Sequence, residues 1–134
     1  MELVLLTVEQ VKKTISDNKI IFREFYMNKI VYGYVQDGKV IAMCPTSINK
    51  QLLNARKIYS PYVAGNNVEI GTNLINDVVS AVWQKDSDVI IYADFLDGVK
   101  PMFENAGFKI AYNQNRLKRY GLLWRGVTIY AKIR

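Results

Sequence analysis

The feature that most constrains the fold is a helical repeat of apolar residues between Gly71 and Lys85. Its members are Leu74, Ile75, Val78, Val79 and Val82. Their spacing predicts an amphipathic helix over 71–85 that packs one face against a core. The stretch Asp88–Tyr92 follows directly. Its apolar residues do not alternate with polar ones, which is typical of a strand buried on both faces.

The residues before this helix are also extended in character. Leu52–Val63 is predicted as a strand, and Pro61 near its end indicates a bulge or an edge position. Strand, helix and strand in succession favour two parallel neighbours joined by a crossover helix. Upstream, Ile30–Gln36 and Lys39–Cys44 flank Asp37-Gly38, a pair that favours the positive φ angles of a tight hairpin. Parallel and antiparallel pairs together predict a mixed sheet.

Turn residues and periodicity place the remaining elements. Thr7 is a candidate N-cap for a helix over 8–17, and Gly107 is placed to end another helix in a left-handed conformation. The other predictions are a strand at Glu2–Leu6, a short helix or strand at 20–27 with helix favoured, a helix near 98–106 with Pro101 in its first turn, and strands at Phe108–Tyr112 and Trp124–Ile133. We therefore expect one α/β (α+β) domain over 1–134, with a mostly antiparallel sheet of six or seven strands.

The absence of histidine narrows the chemistry. No imidazole can act as a base beside a serine or cysteine, and most zinc and non-haem iron sites lose their usual ligand. We therefore expect no metal. The single cysteine, Cys44, allows no internal disulfide and is predicted to be a small buried hydrophobe. No apolar run is long enough for a bilayer, and residues 1–20 lack the pattern of a signal peptide, so a cytoplasmic protein is expected.

The net charge of +6 is distributed unevenly along the chain. Residues 1–108 contain 11 Lys and Arg against 12 Asp and Glu, a balance of −1, whereas residues 109–134 contain seven cations and no acid, a balance of +7. Within this segment Arg116, Lys118 and Arg119 surround a turn next to Tyr120. Cations beside an aromatic ring suit contact with phosphates or nucleic acid, but a solvated hairpin face is an equally good interpretation.

Two stretches resemble the GNAT family of N-acyltransferases. Ile58–Ile75 is similar to that family's strand, Arg/Gln-x-x-Gly-x-Gly/Ala loop and amphipathic helix. Aligning Gly71 with the last small residue puts Asn66 at the Arg/Gln position and Glu69 at the first glycine. Tyr92–Ile110 is similar to a later strand and to the short helix that carries a tyrosine in the family, where this chain has Phe103. The resemblance implies helices on both faces of the sheet.

The resemblance also implies a site for acetyl-CoA at the start of the helix. A strand that turns into a helix presents free backbone N–H groups at the positive end of the helix dipole, which suits a pyrophosphate. Gly71 and Thr72 would allow close approach, while the carboxylate of Glu69 would oppose the phosphates. The implied cofactor contacts are Val63, Asn66, Asn67, Val68, Glu69, Ile70, Gly71, Thr72 and Phe103. An ordinary strand–helix turn is the alternative.

Transfer to an amine would take place where the strands 56–63 and 88–94 separate. Tyr59, Tyr92 and Asp94 could line this gap, with Asp94 as the candidate base. Packing roles for the tyrosines and a turn role for Asp94 are the alternatives. The implied function is acyl transfer, in the first place of acetyl, from acyl-CoA to an amine acceptor. The other hypothesis is a non-catalytic domain of the same fold that binds nucleic acid or an acidic partner through 109–134, as a monomer or homodimer.

Overall fold

The structure is a computed structural model that describes residues 1–48, 55–110 and 130–132. The strands are β1 (Val4–Leu5), β2 (Ile30–Gln36), β3 (Lys39–Thr46), β4 (Ala55–Tyr59), β5 (Tyr62–Val63), β6 (Ile90–Asp94), β7 (Lys109–Ile110) and β8 (Tyr130–Lys132). The α-helices are α1 (Val8–Asp17), α2 (Val68–Lys85) and α3 (Lys100–Asn105). Single 3₁₀ turns occur at Arg23–Phe25, Ala64–Asn66 and Asp97–Val99.

The strands form one mixed sheet in the order β1-β2-β3-β4-β6-β8-β7, with β5 paired to β3 beside β4. Of the pairs between described strands, β4 with β6 is parallel and the others are antiparallel. The parallel pair is joined by α2, as the strand–helix–strand prediction required. The mixed, mostly antiparallel sheet is thus confirmed.

Helices cover both faces of the sheet. The stripe of α2 lies in a core with Tyr34, Ala42 and Ile58 from the sheet and with Phe103 of α3. On the opposite face, Val11 of α1 and its neighbours pack in a second cluster around Val31 and Met43. Successive residues of a strand point to opposite faces, so the side chains along β2 and β3 pack alternately into the two cores. None of the helices in the described ranges is long and apolar enough to span a membrane.

Several local predictions are confirmed. All five members of the apolar stripe of α2 are buried. Asp37 and Gly38 adopt φ angles of 52° and 75°, as the tight hairpin requires, and Gly107 has a φ of 90° after α3. Thr7 caps α1 in a capping box with Gln10. Cys44 is fully buried, and burial raises the pKa of its thiol well above the ordinary value.

Several elements differ from the prediction in their bounds or type. Helix α2 begins at Val68, three residues before the expected start at Gly71, because Asn67 provides the N-cap. The stretch 20–27 contains only the 3₁₀ turn Arg23–Phe25. The buried strand runs from Ile90 to Asp94 rather than from 88 to 92. Residues 52–54 and 111–129, including Arg116, Lys118 and Arg119, lie outside the described residues.

Candidate functional site

The parallel strands β4 and β6 are paired for five residues. The register runs from Ala55 opposite Ile90 to Tyr59 opposite Asp94, where both strands end. After residues 60–61 the chain continues as β5, which pairs with β3 and not with β6. The amide of Leu96 donates to Oγ of Ser60 at 2.7 Å, so one contact still links the two segments beyond the ladder. The ladder therefore ends just before Ser60, where the predicted interruption near Pro61 occurs.

The chain reaches α2 from β5 through a tight left-handed turn. Gly65 and Asn66 have φ angles of 67° and 51°, a conformation that glycine and asparagine adopt more readily than other residues. Asn67 then caps the helix, because its side-chain oxygen accepts from the amide of Ile70 at 3.0 Å. Helix geometry leaves the amides of Val68 and Glu69 without acceptors inside the helix. The start of α2 thus has two N–H groups for an anion, fewer than an uncapped helix.

Gly71 and Thr72 do not occupy the loop positions that the sequence suggested. Gly71 lies inside α2 and is buried against α3, and a Cβ atom at this position would overlap Sδ of Met102. The hydroxyl of Thr72 donates to the Val68 carbonyl at 2.8 Å. Because the helix begins at Val68, Gly71 and Thr72 lie after the positions whose amides have no acceptor within the helix. The lack of a side chain at Gly71 serves the close packing of α2 on α3.

Replacing Gly71 with alanine should therefore destabilise the fold. Alanine favours a helix by about 1 kcal/mol over glycine, but overpacking costs about 1–3 kcal/mol. We expect a net loss of up to about 2 kcal/mol, measured by chemical denaturation. Gly98→Ala is the matched control, because an added Cβ meets no atom within 4 Å there. In a Met102→Ala background the Gly71→Ala loss should disappear, and equal losses in both backgrounds would contradict this role.

A cluster of polar and aromatic side chains lies on the sheet face opposite α2, where β4 and β6 end. Lys57 and Tyr59 share this face of β4, and Tyr92 and Asp94 share it on β6 by alternation. Nζ of Lys57 is 3.2 Å from Oδ2 of Asp94. The same Nζ lies 4.8 Å from the centroid of the Tyr59 ring. The structure therefore brings together Tyr59, Tyr92 and Asp94 and adds Lys57 to them.

A second segment completes this cluster. Nζ of Lys29 also lies 4.8 Å from the Tyr59 ring centroid, and it donates to the Met27 carbonyl at 3.2 Å. The ring of Phe25 lies 5.8 Å from that of Tyr59. Tyr59 is thus in contact with two ammonium groups and a second aromatic ring. Sequence reasoning missed both lysines; alternation along β4 could have indicated Lys57, whereas no local signal points to Lys29.

The environment of Tyr92 holds its hydroxyl in the protonated form. Burial raises the pKa of Tyr92 to about 12, and the nearby Tyr59 and Asp94 add to the shift. A thiol ordinarily titrates near 8.5, and a raised pKa makes this phenol a weaker proton donor to a thiolate. Tyr92 is therefore suited to positioning by hydrogen bonding or packing rather than to supplying the proton of a leaving thiolate.

Phe103, expected among the cofactor contacts, has no exposed surface. Its ring stacks on Phe95 at a centroid distance of 4.5 Å and meets Phe108 edge-on at 5.3 Å. The ring belongs to the core beneath α2. Of the other expected contacts, Val63 is buried in β5, while the turn and first residues of α2 from Asn66 to Glu69 are exposed. Within the described ranges, no three side chains of metal-ligating type come together.

The chain resembles known proteins in structure and not in sequence. No family model matches the chain, and no curated protein has a significantly similar sequence. GCN5 from Tetrahymena superimposes with a TM-score of 0.69 at 15% identity, covering 99% of this chain and 96% of that one. An aminoglycoside 6'-acetyltransferase of type Ii gives a TM-score of 0.66 at 19% identity, with 99% and 97% covered.

A third structure is the aminoglycoside acetyltransferase AAC(6')-Ib in complex with coenzyme A. It gives a TM-score of 0.63 at 16% identity and covers 98% of this chain and 94% of that one. All three similarities extend over nearly the whole chain, and at such low identity they speak for the fold alone. Together with the parallel pair β4 and β6 that α2 joins, they show that this chain has the GNAT-type N-acyltransferase fold.

Proposed function

We propose that the protein transfers an acyl group, in the first place acetyl, from acyl-CoA to an amine. The observation that carries the proposal is that the parallel pairing of β4 with β6 ends at Tyr59 and Asp94, while the chain after β4 leads through β5 into the N-terminus of α2. A helix start attracts phosphate, and an opening between strands can admit a thioester arm. The structures that share this fold are acetyltransferases, and one of them was solved with coenzyme A.

The backbone at the start of α2 fits a pyrophosphate in part. The amides of Val68 and Glu69 have no acceptors within the helix, and the left-handed turn at Gly65 and Asn66 exposes this end of the helix. The carboxylate of Glu69 opposes a bound anion, although it stabilises the helix itself because it lies in the first turn. The two amides would thus attract the pyrophosphate of acyl-CoA, whereas the carboxylate of Glu69 would repel it.

The transfer step would take place beside Asp94. The amine nitrogen forms a bond to the thioester carbonyl carbon, the carbon–sulfur bond breaks, and the sulfur leaves as thiolate. The amine must lose a proton in this step and the thiolate must gain one. We propose that Asp94 accepts the proton of the amine, directly or through water, because the side chain of Asp94 is 57% exposed at the end of β6. Tyr59 and Tyr92 would shape the opening, and water is the proton source for the thiolate.

Calorimetric titration with acetyl-CoA tests the proposal. We expect saturable binding, and release of free CoA thiol once a suitable amine is added. If no heat of binding appears at millimolar acetyl-CoA, the proposal is wrong. A cytoplasmic location and a monomeric or homodimeric state belong to the proposal as well.

Replacing Glu69 with glutamine should have opposite effects on binding and on stability. Removal of the carboxylate should tighten CoA binding about threefold, since charges near a helix start contribute about 0.3–1 kcal/mol. The free energy of unfolding should fall by about 0.5 kcal/mol, because the helix loses a favourable charge at its first turn. Titration calorimetry and urea denaturation measure the two effects. Glu104→Gln in α3 is the control, and CoA binding that weakens in Glu69→Gln would contradict this site.

The second hypothesis, binding of nucleic acid or an acidic partner through 109–134, is supported by the charge of that segment alone. Of its seven cations, Lys132 already donates to the Ala106 carbonyl at 2.8 Å, next to the end of α3. Binding to a DNA or RNA duplex should weaken steeply with added salt. Substitution of Arg116, Lys118 and Arg119 by alanine should remove this binding if the hypothesis holds, and should leave acetyl-CoA binding unchanged.

A further inference from the structure

A groove lies between α1 and the segment that leads into β2, on the same side of the sheet as Tyr59. The cavity has a volume of about 300 Å³ and is lined mainly by apolar side chains, among them Val8, Val11, Met27 and Ile48. Val8 is 62% exposed and Ile48 is 50% exposed, so the groove is open to solvent and its walls are apolar. A cavity of this size suits the apolar part of a small molecule.

The charged groups of this groove are of one sign. Lys12 and Lys29 line it, and none of its lining residues is acidic. All twelve acidic residues of the chain fall within residues 1–48 and 55–110, which the structure describes, so no other part of the chain can add a carboxylate side chain to it. The groove therefore favours an anionic group on a molecule that occupies it.

Lys29 connects the groove to the cluster at the end of β4 and β6. Its ammonium group is held by the Met27 carbonyl and lies against the Tyr59 ring, while the ammonium of Lys57 lies at the same distance from that ring. The two nitrogens are thus no farther apart than twice that distance. Lys57 is paired with Asp94, whereas the partners of Lys29 among the described residues are a backbone carbonyl and an aromatic ring. The ammonium group of Lys29 and the carboxylate of Asp94 therefore both lie close to Tyr59, and these distances place them at most about 13 Å apart.

We propose that the acceptor is a small amine that also carries an anionic group, a carboxylate or a phosphate, and an apolar body. Asp94 attracts the ammonium group of this acceptor and Lys29 binds its anionic group. The groove beyond Lys29 holds the apolar part. Polycationic amines are disfavoured, because they would meet Lys12, Lys29 and Lys57 together. This inference rests on the proposed acyl transfer and specifies the class of acceptor.

Matched pairs of acceptors test this inference in an assay of CoA release with acetyl-CoA. Leucine and leucine amide differ in the carboxylate, and phosphoethanolamine and ethanolamine differ in the phosphate. The amide has the more readily deprotonated amine, so amine reactivity alone favours leucine amide. We expect the anionic member to have a KM at least about tenfold lower in one of the pairs, and the pair that shows it identifies the anion. Equal or better activity with both neutral members overturns the inference.

Variants of Lys29 then test the residue itself. Lys29→Gln should raise KM for the anionic acceptor about tenfold, leave kcat within about twofold, and leave the neutral acceptor unaffected, since only a charge-assisted contact is lost. Lys29→Arg should restore most of the affinity. Lys39→Gln, on the exposed hairpin end of β3, makes the same charge change away from the groove and is the control. Equal KM values in Lys29→Gln and Lys39→Gln overturn the assignment.

Two outcomes separate this inference from the proposed function. If acetyl-CoA does not bind to the unaltered protein, acyl transfer itself is wrong and the acceptor class is refuted with it. If acetyl-CoA binds and neutral or polycationic amines are acetylated as well as anionic ones, the proposed function holds and the acceptor class alone is wrong. Thermal melting of each variant shows that a change in KM does not come from loss of the fold.

Discussion

Replacing Phe103 with alanine is expected to lower the free energy of unfolding by about 4 kcal/mol, the range for large aromatic side chains removed from a core. The ring has no exposed surface and contacts Phe95 face-to-face and Phe108 edge-on. Neither contact can be replaced by a methyl group. Since small domains are stable by about 5–15 kcal/mol, such a loss is a large part of the total. Urea denaturation followed by circular dichroism measures it.

Two further results define the role of this residue. Phe103→Leu keeps most of the volume and should cost about half as much. The fraction of Phe103→Ala that remains folded should bind acetyl-CoA as tightly as the unaltered protein, because the ring lies in the core beneath α2 and not at the surface of the site. A stable Phe103→Ala protein with weakened CoA binding would contradict this placement and return Phe103 to the cofactor contacts.

Raising the pH above 10 is expected to lower the free energy of unfolding. Burial is the main cause of a raised pKa in four groups, the thiol of Cys44 and the phenols of Tyr26, Tyr34 and Tyr92. Above the ordinary pKa of each group the unfolded chain ionises while the folded one stays neutral. Stability is therefore complete below these ordinary values and falls as the pH rises. A fully buried group contributes up to about 1.4 kcal/mol per pH unit, and a group that solvent partly screens contributes less.

Denaturation at a series of pH values measures this effect, with tyrosinate absorbance as a second readout. Tyr34 also donates to Oδ2 of Asp77, whose charge further raises the pKa of the phenol. Tyr26→Phe should reduce the slope above pH 10 by the contribution of one proton, because this side chain is buried and its hydroxyl donates to the Ser60 carbonyl at 3.3 Å. A free energy of unfolding that stays constant to pH 11.5 would show that these groups are exposed.

The body of α2 and the mixed sheet could be predicted because each depends on local patterns. Leu74 and its stripe repeat at helical spacing, and Asp37-Gly38 favours one type of turn. The start of α2 was missed because the stripe begins only after the first turn, where Asn67, Val68 and Glu69 do not fit the apolar pattern. Asn67 is nevertheless a good N-cap residue, and this signal would have moved the start of the helix to Val68.

Less of the candidate site could be predicted from the sequence, because the site depends on which residues of β4 and β6 are paired. Tyr59 and Asp94 were expected near one gap, but their position as direct neighbours follows from the pairing of β4 with β6. The contact of Lys29 with Tyr59 joins residues 30 positions apart and leaves no local pattern. The packing role of Gly71 was missed for a similar reason, since a small residue suits either a bound phosphate or a packed helix, and its contact with Met102 depends on how α2 and α3 pack.

In the proposed function, the start of α2 receives the pyrophosphate of CoA. Titration of ¹⁵N-labelled protein with CoA, followed by amide NMR, examines this contact residue by residue, with pantetheine as the control that lacks the pyrophosphate. We expect saturable shifts at the amides of Val68 and Glu69 with CoA and much smaller ones with pantetheine. Saturable shifts that leave these two amides unchanged, or no shifts at millimolar CoA, would show that the pyrophosphate does not bind at the start of α2.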